Sequence, residues 1–208
     1  LHGTGGAWII ASAKADAAHL EQVVTRSLDR KVCNTLNTCC IERRAAAQLV
    51  PAFIAGLQTA AANRGQAYRL HVVEGSEGVV DSALFSETVQ IVRAEGPVDE
   101  LRATSLPCHE LGTEWEWEES PEVTLVVVDS MEEAIMLFNQ HSPRLVVSLI
   151  SPDEQEQQQF WQQVHSPFVG DNHTRWVDGQ FALSKPELGL SNWANGRLFG
   201  RGAILTGD

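Results

Sequence analysis

The chain has 208 residues, 43% of them apolar, enough to bury one generous core or two small ones at most, so a single domain is expected. Its 27 acidic against 15 basic residues leave a formal charge of −12, which opposes binding to phosphate backbones or anionic lipid and sets nucleic acid aside as a partner. No apolar run approaches the length of a membrane span, about 20 residues, and the N-terminus lacks the charged-then-apolar order of an export signal. Four cysteines, Cys33, Cys39, Cys40 and Cys108, do not form the spaced framework of a small secreted protein, and a soluble, cytoplasmic chain with reduced thiols is the expectation.

His2-Gly3-Thr4-Gly5-Gly6 resembles a phosphate cradle only superficially, because such loops follow a strand and open a helix, whereas this one precedes a strand. Residues 7–11 are a short apolar run suited to a buried strand, and residues 15–26 carry Leu20, Val23 and Val24 at helical spacing. A short strand over 38–41 follows. Residues 44–63 then place Leu49, Val50, Phe53, Ile54 and Leu57 on one stripe, with Pro51 expected in the first turn or at a kink. Residues 68–73 and 89–92 are strand candidates. The segment 101–120 is acidic, holds Trp115 and Trp117, and is expected as a loop with an exposed or edge hairpin.

The second half repeats the rhythm more plainly. Residues 123–128 form an apolar strand, Asp129-Ser130 caps a helix over 131–140, and 145–150 is a strand. Ser151-Pro152-Asp153-Glu154 caps a helix over 155–164, and 168–169 starts another strand. Alternating strands and helices argue for an α/β layer with a largely parallel sheet. From Asp178 onward glycine recurs, and a loop-rich tail is expected.

Cys33 is the residue that carries chemistry most economically. A thiol attacks acyl groups as the thiolate, which needs a dipole or cation nearby, and Arg26, Arg30 and Lys31 are close in sequence. Farther on, Asn172-His173-Thr174-Arg175-Trp176-Val177-Asp178-Gly179 supplies polar groups that could meet it in a fold. The alternative is a small buried thiol. Cys39, Cys40, Cys108 and His109 lack zinc-ligand spacing, and Cys39 and Cys40 point to opposite faces of a strand, so no metal is expected and structural thiols are the reading.

Asp29-Arg30-Lys31-Val32-Cys33-Asn34-Thr35-Leu36 resembles the nucleophile segment of γ-glutamyl phosphate reductase (glutamate-5-semialdehyde dehydrogenase), a branch of the aldehyde dehydrogenase superfamily. Three later segments agree in the same order: Gly112-Thr113-Glu114-Trp115, then Val127 to Ile135, then Thr174 to Gly179 continuing to Ser191. The resemblance implies a three-layer α/β catalytic domain over 1–208, also serving oligomerisation, with an N-terminal cofactor domain absent from this chain. It further implies that Cys33 attacks γ-glutamyl phosphate, that its backbone N–H helps hold the oxyanion, and that NADPH reduces the thioester. Asn34 falls in the same catalytic segment. Thr174, Arg175 and Asp178 fall in the segment that approaches the substrate. Arg175 would bind an anionic group there, or else pair with Asp178 or a helix end. Glu114 would lie near the cofactor ribose, a place that Glu116 or Glu118 could take instead. A homo-oligomer acting on a small molecule is implied.

Three departures stand out. Asn37 replaces a usual glutamate, Asp29-Arg30-Lys31 replaces a segment with an Arg-Pro pair, and Ala7-Trp8 replaces a Cys-His pair. The opening on Leu1 within six residues of a strand suggests a piece of something longer.

Overall fold

A computed structural model describes residues 5–171 and 173–175, and beyond them the backbone of four short strands. Seven strands form one sheet: β1 (Ala7–Ala11), β2 (Leu36–Glu42), β3 (Arg69–Val73), β6 (Ala103–Leu106), β7 (Glu122–Val128), β8 (Val146–Ile150) and β9 (Phe168–Gly170). Their order is β6-β3-β7-β2-β1-β8-β9, and every neighbouring pair is parallel. Between β3 and β6 the chain makes a separate antiparallel hairpin, β4 (Thr88–Arg93) with β5 (Gly96–Leu101).

The strands β1, β2 and β7 are buried along their whole length because both faces of the sheet are covered, although Asn37, Thr38 and Thr124 interrupt the apolar runs. Ile9, Cys39, Ile41, Leu125 and Val127 point to one side, where they meet Leu20, Val23, Leu49, Phe53 and Leu57 of α1 (Ala17–Arg26) and α2 (Ala46–Asn63). Trp8, Ile10, Cys40, Val126 and Val128 point to the other, against Ala134, Ile135, Phe138 and Phe160 of α3 (Met131–His141) and α4 (Glu154–Gln163). The three layers expected from the sequence are present. Cys39 and Cys40 lie on opposite faces as expected, and burial pushes both thiols well above the ordinary range. Cys108, in contrast, is exposed on a short 3₁₀ turn and is not a structural core thiol.

Helix starts follow local chemistry. Asp16 accepts from the His19 amide, Ser130 from that of Glu133, and Asp153 from those of Gln155 and Glu156. Helices α1 and α2 approach closely at Gly56, where a methyl group would lie 2.8 Å from both the Glu21 carbonyl oxygen and Val24 Cβ. Pro51 sits in the second turn of α2 on an exposed face, so the carbonyl it leaves without a donor belongs to the exposed Ala47.

Two expectations need correction. Arg43–Asn63 is long and apolar enough to cross a membrane by length and composition, contrary to the sequence reading. Leu49, Val50, Phe53 and Leu57 of this helix nevertheless belong to the core cluster beneath the sheet, which accounts for its apolar content. The segment 101–120 is not simply a loop with a hairpin. The hairpin precedes it, and Ala103–Leu106 returns as the edge strand β6, too short and too polar to announce itself by alternation. In the tail, β10 (Glu187–Gly189) pairs antiparallel with β13 (Ile204–Thr206), and β11 (Trp193–Ala194) with β12 (Arg197–Leu198).

Candidate active site

Cys33 lies on the loop that leaves α1 and enters β2, and it is exposed. The loop is closed by its own polar groups. Thr35 Oγ1 accepts from the Val32 amide at 2.8 Å and donates to the Arg30 carbonyl at 2.6 Å, and the Thr35 amide donates to the Val32 carbonyl at 3.0 Å. The amides of Gly6 and Ala7, entering β1, donate to the carbonyls of Cys33 (2.8 Å) and Thr35 (2.9 Å). The nucleophile candidate therefore stands at the amino ends of β1 and β2, with its carbonyl fixed.

Thr174 and Arg175 meet this loop from the far end of the chain. The Thr174 amide donates to Ser27 Oγ at 3.1 Å, Arg175 Nε donates to Asp29 Oδ1 at 2.8 Å, and Arg175 Nη1 donates to Asn34 Oδ1. Arg175 is fully buried, and so, to within 2%, is Asn34. The meeting that the sequence suggested is present, but in this geometry the guanidinium holds the loop rather than facing an open anion site. Asn34 presents its side chain to Arg175 and thus belongs to the same clamp. Asp178 lies outside the described residues.

Glu114 reaches the loop from the third side. Its Oε1 accepts from Lys31 Nζ at 2.8 Å and its Oε2 from the Gly5 amide at 2.5 Å. Gly5 fills the space between this carboxylate and the nucleophile: a Cβ there would lie 2.8 Å from Cys33 Cα and 2.8 Å from Glu114 Oε1. Glu116 is the outer neighbour, 3.9 Å from Lys31 Nζ and largely exposed, so of the three candidate glutamates it is Glu114 that lies against the loop.

Asn37 was visible in the sequence only as a departure, yet it places Glu114. Its Nδ2 donates to the Thr113 carbonyl at 2.9 Å and its Oδ1 accepts from the Trp115 amide at 2.9 Å, so one buried amide brackets the glutamate on both sides. A glutamate at position 37 could not donate to the Thr113 carbonyl. Ser27, Thr35 and Gly5 were likewise missed as site residues, and no periodicity marks them.

Trp115 carries the arrangement into the sheet. Its ring stacks on His71 at 3.6 Å and 11°, and its Nε1 donates to Thr124 Oγ1 at 2.7 Å. His71 Nε2 is 2.7 Å from Glu122 Oε1, and Arg93 Nη1 donates to Glu122 Oε2 at 2.7 Å. Burial holds His71 below the ordinary histidine range despite the hydrogen bond to Glu122. Burial also opposes ionisation of Glu122, but the bonds from His71 and Arg93 outweigh it and hold that carboxyl at about 2. Beside the loop, a cleft of about 450 Å³ is lined by Thr25, Arg26, Asp29, Asn63, Arg64 and Glu119 among others. Among the described residues no three His, Cys, Asp or Glu side chains converge as a metal site.

No protein-family model and no curated protein matches the sequence. Solved structures do. γ-Glutamyl phosphate reductase from Thermotoga maritima superposes with a TM-score of 0.69 at 17% identity, over 91% of this chain and 39% of that one. The enzyme of the same name from Saccharomyces cerevisiae gives 0.56 at 20% identity, over 86% and 38%. An NAD-dependent benzaldehyde dehydrogenase from Corynebacterium glutamicum gives 0.53 at 20% identity, over 82% and 39%. The chain thus spans about two fifths of the length of the structures it matches. Over the part that superposes, the chain has the fold of a portion of the γ-glutamyl phosphate reductases and of other aldehyde dehydrogenases.

Proposed function

We propose that this chain is the catalytic portion of an NADP-dependent reductase that converts γ-glutamyl phosphate to glutamate 5-semialdehyde, the chemistry of proline biosynthesis, with Cys33 as nucleophile. The observation that carries the reading is the exposed Cys33 on a loop pinned from three sides by Gly6, Arg175 and Lys31–Glu114, in a fold shared with reductases of that name. The Cys33 thiolate attacks the acyl carbonyl, and the carbonyl π electrons move to oxygen. When the tetrahedral adduct collapses, the C–O bond to phosphate breaks and a thioester remains. The Cys33 backbone N–H donates to the oxyanion, and the Val32 carbonyl of the same peptide, bonded to the Thr35 amide at 3.0 Å, keeps that peptide from turning. Thr174, Arg175, Asn34 and Asp29 set the loop's geometry, and Asp178 belongs to the same approach to substrate.

A nicotinamide, when bound, supplies the hydride that takes the thioester to the aldehyde and releases the thiol. Its main binding domain lies outside these 208 residues in this reading. Glu114 fits a contribution to it: each carboxylate oxygen has one protein donor and retains acceptor capacity for a hydroxyl such as those of a ribose. Assembly as a homo-oligomer through this domain, in the cytoplasm, completes the reading.

Replacing Cys33 by alanine in the full-length protein is expected to abolish NADP-dependent oxidation of glutamate semialdehyde in the presence of phosphate. Retained activity would sink the assignment. A second reading, a catalytically silent assembly module or a reductase of another acyl donor, is favoured by one observation: Arg175 and Glu114 are both engaged by the loop. A panel of acyl phosphates and acyl coenzyme A thioesters separates the cases, since a silent module shows no Cys33-dependent hydride transfer with any of them.

A further inference from the structure

Lys31 and Asn37, two of the residues that depart from the family pattern around Cys33, are joined through Glu114. Lys31 forms an ion pair with Glu114, its side chain only 11% exposed against 17% for the glutamate. Glu114 is held in place by the Asn37 amide through the backbone on either side of it. Gly5 leaves no room between the carboxylate and Cys33, so this ion pair abuts the nucleophile's backbone, two residues from Lys31 itself. Other charges around the loop include Glu116, loosely facing Lys31, the exposed Arg30, Asp29, which is paired with the buried Arg175, Arg64, whose Nη1 donates to the Asp29 carbonyl at 2.8 Å, and Arg26 and Glu119 in the adjoining cleft.

We infer that the Lys31–Glu114 pair sets the reactivity of Cys33: the ammonium favours the thiolate, the carboxylate damps that effect, and Asn37 is the positioning residue that keeps the two in balance. The inference rests on Cys33 being the nucleophile. Its physical content is that the two charges act on one sulfur with opposite sign. A shared structural role would give the two substitutions effects of the same sign, because loss of either partner would loosen the same loop.

The test is the rate of Cys33 alkylation by iodoacetamide between pH 6 and 9 in the full-length protein, followed on the Cys33 peptide by mass spectrometry so that Cys108 does not interfere. Lys31→Met leaves an unbalanced carboxylate and is expected to slow the reaction at neutral pH by about tenfold, while Glu114→Gln leaves an unbalanced ammonium and speeds it by a similar factor. The double variant returns to near the parent rate, and Lys31→Arg keeps it. Asn37→Ala, which frees Glu114 to move, shifts the rate in the direction of Glu114→Gln. Single variants that change the rate in the same direction, or not at all while circular dichroism reports a native fold, overturn the inference. Should Glu114→Gln or Lys31→Met fail to fold, the pair Glu114→Ala and Lys31→Gln, which removes the same two charges, is read in the same way. The proposed function fails separately, through retained activity of Cys33→Ala, whatever order these alkylation rates take.

Discussion

Arg175→Met isolates the clamp on the nucleophile loop, because methionine keeps the apolar stem of the side chain and removes only the guanidinium. Two bonds are lost. Asn34 Oδ1, on a residue 2% exposed, is left without its donor, worth about 1–3 kcal/mol for a buried acceptor. Asp29 is 37% exposed, so solvent takes over part of its role and its share is at most about 1 kcal/mol. Together the loss is about 1–4 kcal/mol, or a fall in melting temperature of about 2–16 °C at roughly 2–4 °C per kcal/mol. Differential scanning calorimetry of the full-length protein measures it. Asn34→Ala removes the same bond from the other side, so the two losses combine to less than their sum by about 1 kcal/mol. A melting shift below about 2 °C, or strict additivity with Asn34→Ala, would refute the clamp. An open anion receptor would behave differently, raising KM for the acyl phosphate without touching the melting temperature.

Two further outcomes follow from the packing and the charges. Gly5→Ala pushes a methyl group to 2.8 Å from Cys33 Cα and 2.9 Å from its carbonyl oxygen, both backbone atoms, and is expected to destabilise by about 1–3 kcal/mol in thermal melts; Gly78→Ala, which meets open space, stays within about 0.5 kcal/mol of the parent. For the pH dependence, His71 resists a proton in the folded state that the unfolded chain accepts near 6.5, so stability is full above that range and falls as pH drops through it. Glu122, held at about 2 against an ordinary 4.5, contributes fully above 4.5 and loses its contribution between 4.5 and 2, a term on the order of 3 kcal/mol. Urea titrations at a series of pH values are expected to show both limbs, and His71→Gln should erase the upper one; a profile unchanged by that substitution would refute the assignment of His71.

How far the molecule could be read in one dimension depended on the range of the interaction. The strands at 7–11, 123–128 and 145–150 announced themselves because a strand buried on both faces is apolar almost throughout, broken here only by Thr124 and Ser148, and Ser130 and Asp153 cap the next turn of their own chain. The opposed faces of Cys39 and Cys40 followed from pleat geometry alone. Strand β6 escaped because four residues of Ala-Thr-Ser-Leu carry too little pattern, and α2 was not recognised as long and apolar enough to span a membrane.

Local chemistry was enough to establish an alternating α/β chain with Cys33 as its candidate centre, since hydrophobic periodicity and caps act over a few residues; that the thiol is exposed was decided by the tertiary structure. Which side chains surround that thiol was a matter of three dimensions. Arg175 and Asp29 are 146 positions apart, Lys31 and Glu114 are 83, and Asn37 and the Trp115 amide are 78. No spacing encodes such pairs. The last two form because the sheet order sets β2 between β1 and β7, bringing the segments that lead into β2 and β7 together at their amino ends, and Arg175 reaches the same loop from beyond β9; in each case a charge or an amide finds its partner only after the core has been packed.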